Sequence, residues 1–188
     1  MKLEQLARDG VRLRIAREGE PNRWAVVLPG AGYTPDGALF WFARKALVAR
    51  GLGLVEVWWD APGVAAARAG LELADERGGA VLLVAKSIGT SVLAELEPEL
   101  PAVWLTPLLG RELVRSALSR PAEPALVVVG RADPASPPEL VAELRGVELL
   151  ELDGADHALE VPDPLASLEL LRRTTEAIDA FAGRCLSS

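Results

Sequence analysis

Residues 80–96 read AVLLVAKSIGTSVLAEL, and the two halves of this stretch obey different periodicities. Residues 81–85 are a continuous apolar run of strand length, suited to a strand covered on both faces. From Ile88 the pattern changes: Ile88, Val92, Leu93 and Leu96 recur at helical spacing until Pro98 ends it. Ser87 therefore stands at an abrupt corner between a buried strand and a helix.

A serine at such a corner, with small residues two positions away on each side, fits the nucleophile elbow G-x-S-x-G. Here the five residues are Ala85-Lys86-Ser87-Ile88-Gly89, with alanine in place of the first glycine. A turn this tight pushes the Ser87 hydroxyl outward and aims the first amides of the helix at any oxyanion formed beside it. The same letters also describe a serine capping an ordinary helix, so the reading depends on what the rest of the chain places nearby.

The alternation repeats on both sides of this stretch. Leu3 and Gln5, against Val11, Leu13 and Ile15, flank Asp9-Gly10, which predicts an antiparallel hairpin at a sheet edge. Residues 24–28 form a strand stopped by Pro29 and followed by the loop Gly30-Ala31-Gly32-Tyr33-Thr34-Pro35-Asp36-Gly37. Phe40, Ala43 and Leu47 mark a helix closed by Gly51. The strand at 54–57 ends in Trp58-Trp59-Asp60, and a helix covers 64–77. Downstream, a strand at 102–105 leads through Thr106-Pro107 to a helix at 111–118. The strand at 125–129 empties into Gly130-Arg131-Ala132-Asp133-Pro134. Pro137-Pro138 opens a helix to Leu144, and the last strand, 147–152, ends in Asp153-Gly154-Ala155-Asp156-His157. Pro164 starts a final helix whose Leu165, Leu168, Leu171, Ile178 and Phe181 share one face, with Gly183 as its stop.

Strands and helices alternating over short connections predict the α/β class. The expected architecture is a three-layer α/β/α sandwich on a mostly parallel sheet, with an antiparallel N-terminal hairpin. Ligands bind such sheets at the carboxyl ends of the strands. Ser87, Asp133 and His157 each lie just past a predicted strand end, so one topological rule brings all three to the same rim.

Chemistry gives that convergence a meaning. Serine is a weak nucleophile until a base takes its proton, and His157 is the sole histidine. The imidazole in turn needs a carboxylate on its far nitrogen, which fixes the tautomer and stabilises the cation formed during attack. Asp133 is the first candidate. Asp153 and Asp156 rank second, because they share the short loop of His157, and Asp60 ranks third. Activity is then expected to fall as the imidazole protonates in mildly acidic solution.

Composition narrows the classes further. At 188 residues, half of them apolar, the chain suits one domain over 1–188 with a substantial core. With 27 acidic against 20 basic residues, a net charge of −7 and no basic stripe, nucleic acid is not an expected partner. No apolar run reaches membrane-span length and the N-terminus has no signal-peptide core, so a cytoplasmic location is expected. Cys185 is a bystander. Few thermolabile side chains and frequent loop prolines point to a thermostable protein.

On these motifs the chain resembles a small, lidless serine hydrolase of the α/β-hydrolase superfamily, from Trp24 onward. The superfamily order of nucleophile, acid and histidine matches Ser87, Asp133 in a G-x-x-D loop, and His157. The resemblance implies an oxyanion hole from the amides of Ala31 and Ile88, with Gly32 as the substitute for the first. It implies an open site, since only residues 106–124 separate the strands where a lid is often inserted. It also implies hydrolysis of small acyl esters or thioesters through an acyl-enzyme, with no metal or organic cofactor. Gly32, Tyr33, Trp58 and Thr106, with Trp59 and Leu108, are expected to line the acyl pocket. Lys86 should point away from Ser87; it reads as support for the elbow or as a binding charge. Ala85 and Pro29 motivate an alternative, a non-catalytic binding or scaffold protein on the same fold. A nucleotide-binding reading fails because Gly30-x-Gly32 is followed by Pro35 where the fingerprint needs glycine.

Overall fold

The computed structural model describes residues 1–97 and 99–187; Pro98, where the sequence reading ends the helix after Ser87, and Ser188 lie outside the described residues. The described strands are β1 (Lys2–Arg8), β2 (Val11–Arg17), β3 (Trp24–Leu28), β4 (Gly53–Trp58), β5 (Ala80–Lys86), β6 (Ala102–Leu105), β7 (Ala125–Gly130) and β8 (Glu148–Leu152). They form one sheet in the order β1-β2-β4-β3-β5-β6-β7-β8. β1 pairs with β2, and β2 with β4, in antiparallel fashion, while every other neighbouring pair is parallel. The turn of the β1–β2 hairpin places both Asp9 and Gly10 at positive φ, the conformation that an Asp-Gly pair tolerates and most residues resist.

Helices α1 (Ala38–Ala49), α2 (Val64–Asp75), α3 (Ile88–Leu96), α4 (Glu112–Ser119), α5 (Pro138–Val141) and α6 (Pro164–Ser187) cover the two faces. Strict alternation along the strands sorts the apolar side chains into two cores. Leu83 and Ala85 of β5 join Val26, Val127 and Val129 under α2, α3 and α4. Leu82 and Val84 join Val27, Val103 and Val128 under α1 and α6. Each fully buried Val or Leu contributes roughly 1.5–3 kcal/mol, which is why the central strands are apolar on both faces.

The strand order contains the feature that locates the site. From β3 the chain crosses by α1 to β4 on one side, and then returns by α2 to β5 on the other side of β3. The carboxyl ends of β3 and β5 therefore flank a topological switch point, where the loops diverge and leave a crevice.

Several boundaries differ from the sequence reading. α2 stops at Asp75, two residues short, and the chain reverses through Gly78 and Gly79, both at positive φ. A Cβ on Gly78 would collide with the Asn22 carbonyl. α5 ends at Val141 instead of Leu144, and the Arg145 guanidinium bonds the carbonyls of Ala142 and Leu144. α6 runs through Gly183 to Ser187. Gly183 is not a stop: the space a side chain would fill is taken by the Arg50 guanidinium, itself held by Asp179 at 2.6 Å. The shared apolar face of α6 also divides. Ile178 and Phe181 are buried, whereas Leu165 and Leu168 are exposed.

Candidate active site

Ser87 follows β5 directly and precedes the first residue of α3. Its backbone is at φ 51° and ψ −118°, a conformation that side-chain-bearing residues avoid at a cost of about 1–3 kcal/mol. The surroundings hold it there. The Ser87 amide donates to Leu105 O at 3.0 Å, and its carbonyl accepts from the Thr90 amide at 2.9 Å and the Thr90 hydroxyl at 2.6 Å. Gly89 is obligatory, because a Cβ there would strike the Leu28 carbonyl oxygen. Ala85, by contrast, packs fully buried in the core beneath α2, α3 and α4, so its methyl has a place and the elbow forms without the first glycine.

The loop after β3 passes directly against the serine. A Cβ on Gly30 would lie 3.3 Å from Ser87 Cβ, and the loop is closed by a bridge between Gly30 and Tyr33. Ile88, as the first residue of α3, has an amide with no intrahelical acceptor. The amides of Ala31 and Gly32 donate to no protein acceptor among the described residues.

Asp133 and His157 arrive from the neighbouring strand ends. The two loops that carry them are stitched together: Arg131 N donates to Leu152 O and Ala132 N to Ala155 O, each at 2.9 Å. A Cβ on Gly130 would collide with the Ala155 carbonyl, which accounts for the glycine of the G-x-x-D sequence. His157 Nδ1 lies 2.8 Å from Asp133 Oδ2, and Nε2 lies 2.8 Å from Ser87 Oγ. The Asp133 side chain is fully buried and that of His157 is 39% exposed. An ionised carboxylate only accepts, so Nδ1–H donates to it and the lone pair on Nε2 faces the serine hydroxyl. The second oxygen, Asp133 Oδ1, accepts from the Ala135 amide at 2.8 Å, which fixes the carboxylate plane.

The other carboxylates have different work. Asp156 Oδ1 accepts from the amides of Ala158 and Glu160 and shapes the histidine loop. Asp153 pairs with Arg131 at 2.8 Å, and Asp60 with Arg12 at 2.9 Å.

Two clefts adjoin the loops around the site, one reaching Gly30 and the other Ala158, and Ser87 itself lines neither. One, of about 320 Å³, runs between the loop after β3 and the end of β4; Gly32, Tyr33, Trp58 and Trp59 line it. The other, of about 370 Å³, lies on the histidine side and is lined by Tyr33, Leu39, Leu159, Val161, Leu168 and Leu171. Tyr33 stands between the two. This second cleft was not anticipated from the sequence, although the apolar residues at the start of α6 were its available signal. Thr106 lies elsewhere than expected: it is fully buried, lines neither cleft, and its hydroxyl oxygen accepts from Lys86 Nζ at 2.9 Å. Lys86 points away from Ser87, yet it is no binding charge. It is 2% exposed, and Nζ also donates to the His157 carbonyl at 2.8 Å.

No family model and no curated protein matches the sequence. Solved structures do match in shape. A lidless α/β serine hydrolase from Xanthomonas campestris superposes with a TM-score of 0.74 at 20% identity, over 97% of this chain and 94% of that one. A putative α/β-hydrolase from Agrobacterium tumefaciens gives 0.75 at 16% identity, over 97% of both chains. Est1E from Butyrivibrio proteoclasticus gives 0.70 at 14% identity, over 99% of both. With only the short α4 segment between β6 and β7, where a lid is often inserted, the chain has the α/β-hydrolase fold in its small, lidless form.

Proposed function

We propose that this protein is a serine hydrolase that cleaves small acyl esters or thioesters through a Ser87-His157-Asp133 catalytic triad. The observation that carries the reading is the unbroken chain of two 2.8 Å contacts from Ser87 Oγ through the imidazole to a buried carboxylate. That chain starts at a strained serine beside unengaged amides. Similarity in fold to esterases and serine hydrolases supports it.

In this reading His157 Nε2 takes the Ser87 proton as Oγ attacks the substrate carbonyl carbon, and the carbonyl oxygen becomes an oxyanion. The amides of Ile88 and Ala31, with Gly32 adjacent, receive that charge; one such donor is worth about a hundredfold or more in rate. The imidazolium, stabilised by Asp133, then protonates the departing alkoxide or thiolate and leaves an acyl-serine. Water repeats the sequence in reverse and releases the acid. No metal or organic cofactor takes part. The apolar cleft of Leu39, Leu159, Val161, Leu168 and Leu171 accepts an aliphatic or aromatic portion of the substrate. The Gly32–Tyr33–Trp58 cleft accepts the other portion. Among the described residues no helix is long and apolar enough to cross a membrane. The reading places the enzyme in the cytoplasm, as one thermostable domain.

The non-catalytic alternative rested on Ala85 and Pro29. Ala85 is absorbed by the core, and the loop beginning at Pro29 still runs against Ser87. A fluorophosphonate probe is expected to label the wild type and not Ser87→Ala. Equal labelling of the two, or none in either together with no ester turnover, refutes the reading.

A further inference from the structure

Of the buried ionisable groups that acyl transfer leaves unused, Lys86 is the one bonded to the loop of His157. It ends β5 in register with Leu105 of β6, and alternation sends its side chain to the face of Leu82 and Val84, beneath the mouth. There the ammonium forms no salt bridge among the described residues. Its contacts are Thr106 Oγ1 at 2.9 Å, the His157 carbonyl at 2.8 Å, and the Tyr33 ring with its centroid at 5.2 Å. A buried cation without a contacting anion is costly, and a methionine in its place would carry no such penalty. What the charge obtains in return is a charge-assisted hydrogen bond to the backbone of one residue, His157.

That residue needs a hold from below. Its loop is pinned on one side by Asp156, whose carboxylate accepts from Ala158 and Glu160, and on the other by the Ala132–Ala155 bond. Among the described residues, the His157 carbonyl itself has Lys86 as its hydrogen-bond partner. Thr106, the anchor on the far side, sits at φ 45° and is fixed by donation of its amide to Val128 O at 2.8 Å. Lys86 thus ties the ends of β5 and β6 to the loop after β8, which carries the imidazole that bridges Ser87 and Asp133.

We propose that Lys86 is a positioning residue, whose ammonium, braced on Thr106, holds the His157 main chain so that the imidazole keeps its reach to both Ser87 and Asp133. This inference rests on the serine-hydrolase reading and adds a residue to it. It has a consequence in alkaline solution. Burial lowers the Lys86 ammonium from 10.5 to about 8, against the opposing pull of Asp133, Asp156 and Glu160. Those three carboxylates, with the uncharged Thr106 and Tyr33, are what face it from the loops after β3, β6, β7 and β8. The neutral amine keeps two N–H groups but loses charge assistance, which supplies roughly half the strength of such a bond. Turnover should therefore decline above about pH 8.

Lys86→Met and Thr106→Val test this by kcat, KM and circular dichroism from pH 6 to 10, with a short-chain p-nitrophenyl ester as substrate. Lys86→Met is expected to lose about tenfold to a hundredfold in kcat, the scale of a misplaced catalytic group, with KM nearly unchanged and the alkaline decline gone. Thr106→Val keeps the cation and removes its brace, so it should lose less kcat and begin its alkaline decline at lower pH. Turnover of Lys86→Met equal to wild type at every pH overturns the proposal. So does a kcat loss that merely tracks the unfolded fraction, or, should Lys86→Met not fold, a Thr106→Val profile identical to wild type. Wild-type turnover that does not depend on Ser87 overturns the hydrolase reading first and this inference with it, so the two failures are distinguishable.

Discussion

Two charged clusters are buried on either side of the switch point, and they are built in opposite ways. Beneath the loop after β3, the fully buried Glu56 receives Arg14 Nε at 2.5 Å and Arg44 Nε at 2.6 Å. The same arginines reach on to Asp36, and Arg44 to the Pro35 carbonyl. Beneath the elbow, Lys86 has two neutral oxygens and an aromatic face. In the first cluster each charge is answered at contact distance, and the cluster acts as a strut fixing β2, β4, α1 and the loop that flanks Ser87. In the second, the cation stays only partly compensated and its proton becomes sensitive to pH. The contrast teaches that burying charge is a structural device where an opposite charge makes contact, and a tunable one where none does.

The largest effect expected on this contrast comes from the other buried carboxylate, Asp133. Asp133→Asn preserves an oxygen for the Ala135 amide but presents N–H to His157 Nδ1, which moves the ring proton to Nε2, where it can no longer accept from serine. A fall of about ten-thousandfold in kcat is expected, with the melting midpoint nearly unchanged. A large loss of stability would instead place Asp133 with Glu56 as a strut.

Glu56→Leu should do the reverse. It strands two buried guanidinium groups, and urea denaturation should show a loss of about 3–5 kcal/mol, typical of removing one partner from a buried pair. Stability within 1 kcal/mol of wild type would break the comparison.

The smallest effect is a pH slope. Because Lys86 is held at about 8 when folded and returns toward 10.5 when unfolded, the unfolded chain binds more protons between those values. Its contribution to stability therefore rises with pH through that window, by up to about 3 kcal/mol, and is lost as pH falls through about 8. Denaturation of wild type against Lys86→Met across pH 7–11 reads this difference. Stability and turnover moving in opposite directions over the same window would sharpen the assignment, and a flat difference would remove the tuned character of the second cluster.

The architecture was legible because burial writes itself into periodicity. Runs such as ALVVV at 125–129, followed by glycine and aspartate, have few other readings, and the strand-end rule sufficed to group Ser87, Asp133 and His157. Boundaries set by tertiary contact were not legible. Gly183 looks like a stop until Arg50 is seen to occupy the missing side chain's space, and α6 continues. The two small positions of the elbow also look equivalent in sequence, yet only Gly89 faces a backbone oxygen, while Ala85 faces the core. Thr106 follows a strand end and so reads as a pocket residue, but its positive φ and the Lys86 bond keep its hydroxyl inside. The link from Lys86 to the carbonyl of His157 spans 71 residues and involves no side chain at its far end, so no motif could announce it.

Acyl transfer through Ser87 is tested most directly by rapid-mixing kinetics with p-nitrophenyl acetate, followed by intact-protein and peptide mass measurement. The account predicts a burst of nitrophenol of one equivalent per chain, or a trapped acetyl group when the reaction is quenched early, located on Ser87 and absent from Ser87→Ala. Steady turnover with no acyl adduct on Ser87, or an acetyl group that persists in the Ser87→Ala variant, would contradict it.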